Sequence, residues 1–112
     1  MKLVSINIEV NRHHDTVLPF LKKEMPDVAC LQEFLEGDLS RYEKELGMKG
    51  VYQAFDYAHY PFRDTANGQK HGVAVFSRHQ IVDSGYVFYL GNKENTIKSY
   101  EEWLSSEDKN KN

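Results

Sequence analysis

Asn7 and Glu33 are the residues of this sequence whose types and placement point to chemistry. Each stands at the polar end of a short apolar run. The first run is Lys2-Leu3-Val4-Ser5-Ile6-Asn7-Ile8-Glu9, and the second is Pro26-Asp27-Val28-Ala29-Cys30-Leu31-Gln32-Glu33. A helix-sized segment separates the two. Two consecutive strands that bring an amide oxygen and a carboxylate to one edge make half of a metal site. No second half can be found in the rest of the sequence, and that matters as much as the motif.

The elements that must position these residues follow from the pattern of apolar side chains. Residues 2–8 are expected to form a strand, with Val4, Ile6 and Ile8 on one face and Leu3, Ser5 and Asn7 on the other. The first face is apolar and β-branched, which suits the core side of a sheet. A polar turn over 11–15 leads to a helix capped by Asp15 or Thr16 and running to about Met25. Pro19 falls in or just after its first turn, where a missing N–H costs little. Val17, Leu18, Leu21 and Met25 supply an apolar stripe at helical spacing. Pro26 stops the helix, and Val28 to Leu31 form a second strand that ends on Gln32-Glu33. Strand, helix and strand with short connections make a right-handed crossover between parallel strands. Asn7 and Glu33 then lie near the same edge, where open α/β sheets tend to bind ligands.

Farther along, Gly37-Asp38 starts a second helix over 39–46, and Gly47 ends it. Leu39, Tyr42 and Leu46 should face the sheet. Residues 49–57 are expected as a third strand, and 61–69 as a loop with an Asn67-Gly68 turn. Residues 71–77 form a fourth strand, with Val73 and Val75 on one face and Ala74 and Phe76 on the other. A tight connection at 78–80 leads to a fifth strand over 81–90, weakened at Gly85. Residues 97–104 suit a short helix. Residues 105–112 carry no apolar side chain and are expected to be disordered.

A chain of 112 residues is one domain at most, with a modest core. The net charge of −3 gives no overall basic footprint for nucleic acid, although a local patch is compatible with it. Cys30 is the sole cysteine, so no intrachain disulfide can form, and within an apolar strand it acts as a small hydrophobe. The first residues are too few and too polar for a secretory signal, and no stretch approaches a membrane span. A cytoplasmic setting is the default expectation.

The order of these elements, with their motifs, resembles the endonuclease/exonuclease/phosphatase superfamily. The matching pieces are residues 2–8, the run Pro26-Asp27-Val28-Ala29-Cys30-Leu31-Gln32-Glu33, and Gly72-Val73-Ala74-Val75-Phe76-Ser77-Arg78. The resemblance covers residues 1–90, the family's N-terminal part, and leaves 91–112 as a polar segment outside it. It implies an α/β fold that is part of a four-layer sandwich, with one mixed sheet carrying helices on its outer face and the second sheet largely missing. It also implies that Glu33 ligates a catalytic divalent cation, Mg²⁺ or alternatively Mn²⁺, and that Asn7 belongs to the same site. Mg²⁺ is a hard ion that takes oxygen ligands and often uses one or two protein carboxylates. Glu9 stands where some relatives place an aspartate as an added metal contact, so two readings are open for it, metal neighbour or exposed strand end. The implied activity is hydrolysis of a phosphate ester, in nucleic acid or a small phosphodiester. The family's later motifs are an Asp-x-Asn pair, a histidine at the end of a central strand and a terminal Asp-His. None can be located in this sequence. The expectation is therefore an N-terminal portion that is inactive alone, with its exposed sheet face covered by the missing C-terminal half or by another chain.

Plainer readings stand beside these. His13-His14 in a polar loop are expected to be solvated, and His59, His71 and His79 lack the spacing of zinc ligands. Arg63, Lys70, Arg78 and His79 could line a phosphate-binding edge, but ordinary loop charges account for them. Tyr52, Phe55, Tyr57, Tyr60 and Phe62 could stack on bases, although alternation in a strand favours packing. Two rival functions remain, a non-catalytic remnant that binds a partner through its uncovered sheet, and a small nucleic-acid-binding domain.

Overall fold

The computed structural model describes residues 1–54 and 71–87. Their elements are β1 (Leu3–Asn7), α1 (His14–Glu24), β2 (Val28–Leu35), one 3₁₀ turn (Glu36–Asp38), α2 (Leu39–Leu46), β3 (Lys49–Ala54) and β4 (His71–Ser77). The strands form one mixed sheet in the order β1-β2-β4-β3. β1 and β2 are parallel, as the crossover requires, and pair from Leu3 with Val28 to Asn7 with Gln32. β4 runs antiparallel to both β2 and β3.

Alternation divides the sheet into two faces. Ala29, Leu31, Ala74 and Phe76 are fully buried beneath the helices, with Val4, Ile6 and Tyr52 packed beside them. Val17, Leu18 and Leu21 from α1 and Tyr42, Leu39 and Leu46 from α2 close this core. Phe34 is its centre, with the rings of Tyr42, Phe76 and Tyr52 at 5.0, 5.7 and 6.4 Å. The opposite face carries three rows of side chains. They are Leu3, Val28, Ser77 and Lys49; then Ser5, Cys30, Val75 and Val51; then Asn7, Gln32, Val73 and Gln53. Most of these are only partly buried or exposed, and no described element covers them.

Several expectations are corrected here. α1 begins at His14, so neither Asp15 nor Thr16 caps it. The N–H groups of Thr16 and Val17 bond instead to the carbonyl of His13. Asp15 lies in the first turn, where a carboxylate complements the helix dipole. Met25 is not part of the apolar stripe. It ends α1 in the left-handed region with φ 50°, donates its N–H to Leu21, and is 62% exposed. Gly47 ends α2 as expected, at φ 66°. Residues 81–87 form no strand, and Val82 and Val87 are exposed. A strand needs a ladder partner, and β3 and β1 hold the two edges of the sheet with nothing described alongside this segment. Residues 88–90, the end of the third strand beyond Ala54, the loop, the 97–104 helix and the tail lie outside the described residues.

The end of the sheet remote from Glu33 is clamped by the remaining motif residues. The Arg78 guanidinium donates to the carbonyls of Met25 (2.8 Å) and Pro26 (3.2 Å), and its backbone N–H donates to Asp27. The Asp27 carboxylate accepts the N–H of Lys2 at 2.7 Å. Antiparallel pairing puts Ser77 opposite Val28, so Arg78 and His79 are at the wrong end of the sheet to line the edge that carries Glu33.

Candidate functional site

β2 does not stop on Glu33, as the apolar run suggested, but bulges there. The register with β4 shifts between Gln32 and Phe34. Strict alternation would carry residues 29, 31 and 33 into the core and aim a carboxylate at apolar side chains. The bulge inserts one residue. Gln32 and Glu33 are then both only half-buried, while Phe34 takes the core position at 0% exposure. Glu33 adopts φ 55° to do this, a left-handed conformation that costs a non-glycine residue about 1–2 kcal/mol.

The turn after β1 is strained in the same way. Asn7 Oδ1 accepts the N–H of Glu9 at 3.0 Å, and Glu9 and Val10 sit at φ 50° and 67°. Two backbone bonds fasten this turn to the bulge, from Ile8 N–H to the Gln32 carbonyl (3.1 Å) and from Val10 N–H to the Glu33 carbonyl (3.0 Å). Asn7 is the register partner of Gln32. Gln32 in turn donates to Ser5 Oγ at 2.9 Å. The crossover thus brings Asn7 and Glu33 to one edge. Glu9 lies in the turn beyond β1, with its carboxylate 3.5 Å from His13 Nε2 and 3.8 Å from Arg12 Nη1.

Two histidines are largely buried, and one of them, His14, was expected to be solvated. His71 opens β4 opposite Leu35 and is 3% exposed. Burial pushes its imidazole below the ordinary histidine range, and the charge of Glu33 pulls the other way. His71 therefore stands within electrostatic reach of Glu33. Only the antiparallel course of β4 brings it there, and spacing along the sequence carries no such signal. His14 is the other. Its Nδ1 lies 2.7 Å from the hydroxyl of Tyr42, and its Nε2 lies 3.1 Å from Asp38 Oδ2. Burial, reinforced by the Asp38 charge, pushes the Tyr42 phenol up to about 12. Tyr52 is also pushed up to about 12, by burial first and Glu36 second. It packs in the core and is not offered to a base for stacking.

Among the described residues no three His, Cys, Asp or Glu side chains converge on a metal position. The donors at the edge are oxygens, the Glu33 carboxylate and the second lone pair of Asn7 Oδ1. That set fits a hard cation that keeps most of its water, and it lacks the histidine or cysteine ligands that zinc sites use.

A mixed sheet with both helices on one face, and polar residues gathered where the parallel strands end, defines an α/β domain. The sequence model described as the Endonuclease/Exonuclease/phosphatase family matches residues 4–98, and the chain belongs to that family. The fold is similar to a crystal structure of a functionally unknown conserved protein from Enterococcus faecalis V583, with a TM-score of 0.55 and 16% sequence identity. That likeness covers 76% of this chain and 35% of the other, so the chain spans about a third of the length of that structure. No curated protein sequence matches the chain. No helix among the described residues is long and apolar enough to cross a membrane.

Proposed function

We propose that this chain supplies the first part of a cytoplasmic, Mg²⁺-dependent phosphoesterase active site. Glu33 would hold the ion, Asn7 would help position it, and Glu9 would add negative charge at the edge of the site. An ion held there would supply positive charge to offset that of the phosphoryl group and of the attacking water. The observation that carries this reading is the bulge at Glu33. A strained backbone keeps one carboxylate out of the core and beside the end of β1, in a chain that belongs to a family of hydrolases. The substrate is a phosphate ester, in nucleic acid or a small phosphodiester. The general base is proposed to come from outside this chain. The test is phosphodiesterase turnover with Mg²⁺ or Mn²⁺, on this chain and on any longer natural form. No appreciable turnover is expected from the chain alone. Turnover in the longer form should be lost in Glu33→Ala, and activity that survives this substitution sinks the assignment.

A second reading, a partner-binding module, is favoured by the sheet face that holds Val28, Cys30, Val51, Val73 and Val75. Partly buried apolar rows of this kind mark a surface that other protein covers. Val75→Lys separates the cases. If this face is covered in the working protein the substitution costs assembly or solubility, and if the face is free it is silent.

A further inference from the structure

We infer that Asp38, His14 and Tyr42 form a positioning device for the edge that carries Asn7 and Glu33. Its purpose rests on the phosphoesterase reading, but its geometry does not. The three residues come from three elements. His14 opens α1, directly after the turn that leaves β1. Asp38 closes the 3₁₀ turn that leaves β2. Tyr42 lies in α2, and its ring packs edge-on at 5.0 Å against Phe34, the residue after Glu33. The contacts therefore join the two loops that leave the two site-bearing strands.

Their polar atoms lie in a row. His14 Nε2 lies 3.1 Å from the Asp38 carboxylate, which can only accept. His14 Nδ1 shares a hydrogen bond of 2.7 Å with the Tyr42 hydroxyl, its direction set by the tautomer of the ring. Asp38 Oδ2 is buried and has no hydrogen bond of good geometry, so its contact with His14 is one of proximity. Packing alone does not account for Tyr42. The residue is 0% exposed, and a phenylalanine would fill the same space without burying a hydroxyl, a group that costs free energy unless it is paired. The neighbouring loops are where such a brace is needed. Glu9, Val10 and Glu33 all sit at positive φ, and strain of that kind persists only where the surroundings over-determine it. The Ile8 and Val10 backbone bonds brace the sheet side of this edge, and Tyr42–His14–Asp38 braces the helix side. With side chains only 12% (His14) and 24% (Asp38) exposed, these are positioning residues and not catalytic ones.

The test is amide hydrogen exchange, read by NMR on the full chain, for wild type and Tyr42→Phe. The expected result is exchange about tenfold faster at Ile8 and Val10, with Val75 and Phe76 in the central sheet nearly unchanged, a local loosening and not a global one. Unchanged protection at Ile8 and Val10, or equal acceleration at all four, overturns the inference. If Tyr42→Phe does not fold, Asp38→Ala gives the same readout from the partly exposed end of the chain of contacts. Mn²⁺ binding is measured in parallel. Weakening of several-fold in Tyr42→Phe supports the proposed purpose. If wild type binds no Mn²⁺, the phosphoesterase reading of this chain fails, while the exchange data still decide whether the device exists.

Discussion

Val10 donates its backbone N–H to the carbonyl of Glu33 over 3.0 Å, and both residues sit at positive φ, 67° and 55°. Two strained positions, one in the turn after β1 and one on β2, therefore hold each other. A β-branched residue in this region is a genuine outlier. It is tolerated here because the Val10 side chain is buried, at 5% exposure, so the strain is offset by apolar burial. The bond ties the turn after β1 to the bulge at Glu33.

Substituting Glu33 separates strain from chemistry. Glu33→Gly relieves a left-handed penalty of about 1 kcal/mol and loses a comparable amount to the greater freedom of the unfolded chain. Its stability should stay near that of wild type. Glu33→Ala keeps the penalty and should not be more stable than Glu33→Gly. Urea denaturation of the two variants checks the order, and a clearly more stable Glu33→Ala would show that the bulge does not constrain φ.

Much of the fold was legible because alternation and helix periodicity report burial directly. Val4 and Ile6 fell on the core face for that reason, Ala74 and Phe76 shared a face whose burial alternation alone did not assign, and Gly47 ended α2 for reasons of backbone conformation. The edge placement of Asn7 and Glu33 followed from one crossover. What was not legible depends on pairing between distant strands. The bulge at Glu33 is set against β4, and the proximity of His71 to Glu33 needs the antiparallel course of that strand. His14 looked solvated because its partners, Asp38 and Tyr42, lie 24 and 28 residues away. Residues 81–87 carry strand-like side chains, but a ladder also requires a neighbour.

Gly72 marks a close backbone approach that fixes the start of β4. A Cβ added there would lie 2.0 Å from the carbonyl oxygen of Gln53 and 2.7 Å from the Cα of Ala54. Both are main-chain atoms of β3 and cannot swing aside. At Gly50 the added Cβ would meet the Phe76 ring at 2.6 Å and a Leu39 methyl at 3.0 Å, side chains that can shift in part. Gly72→Ala should therefore cost more than Gly50→Ala, by about 1–3 kcal/mol on the scale of overpacking. The midpoints of chemical denaturation decide between them.

Asp27 belongs to the same motif as Glu33 but acts at the other end of the sheet. The backbone N–H of Lys2 holds its carboxyl below the ordinary value of 3.8, with smaller help from Arg78, the N-terminus and His79. A depressed carboxylate contributes stability that is present above its unfolded pKa and is lost as pH falls through the folded value. Wild type should thus exceed Asp27→Asn in thermal stability at neutral pH, and the gap should close below about pH 4. A gap that persists unchanged into acid would mean that shape, not charge, sets the role of Asp27.

Glu9 and Glu33 are both carboxylates near one edge, and their surroundings assign them different weights. The Glu9 side chain is 56% exposed and faces Arg12 and His13 at 3.8 and 3.5 Å. Pairs this open contribute little, and salt screens them. Its influence on a bound cation would then be diffuse attraction, whereas Glu33, held at the bulge, is the proposed direct ligand. Glu9→Gln should weaken Mn²⁺ binding by no more than about threefold at low salt, and the difference should fade as ionic strength rises. Glu33→Gln should weaken it by about 100-fold, and turnover in any longer active form should fall on a similar scale. Titration calorimetry at two salt concentrations resolves the two effects. Equal losses in both variants, insensitive to salt, would make Glu9 a ligand in its own right and require the turn at Glu9 and Val10 to rearrange when the metal binds.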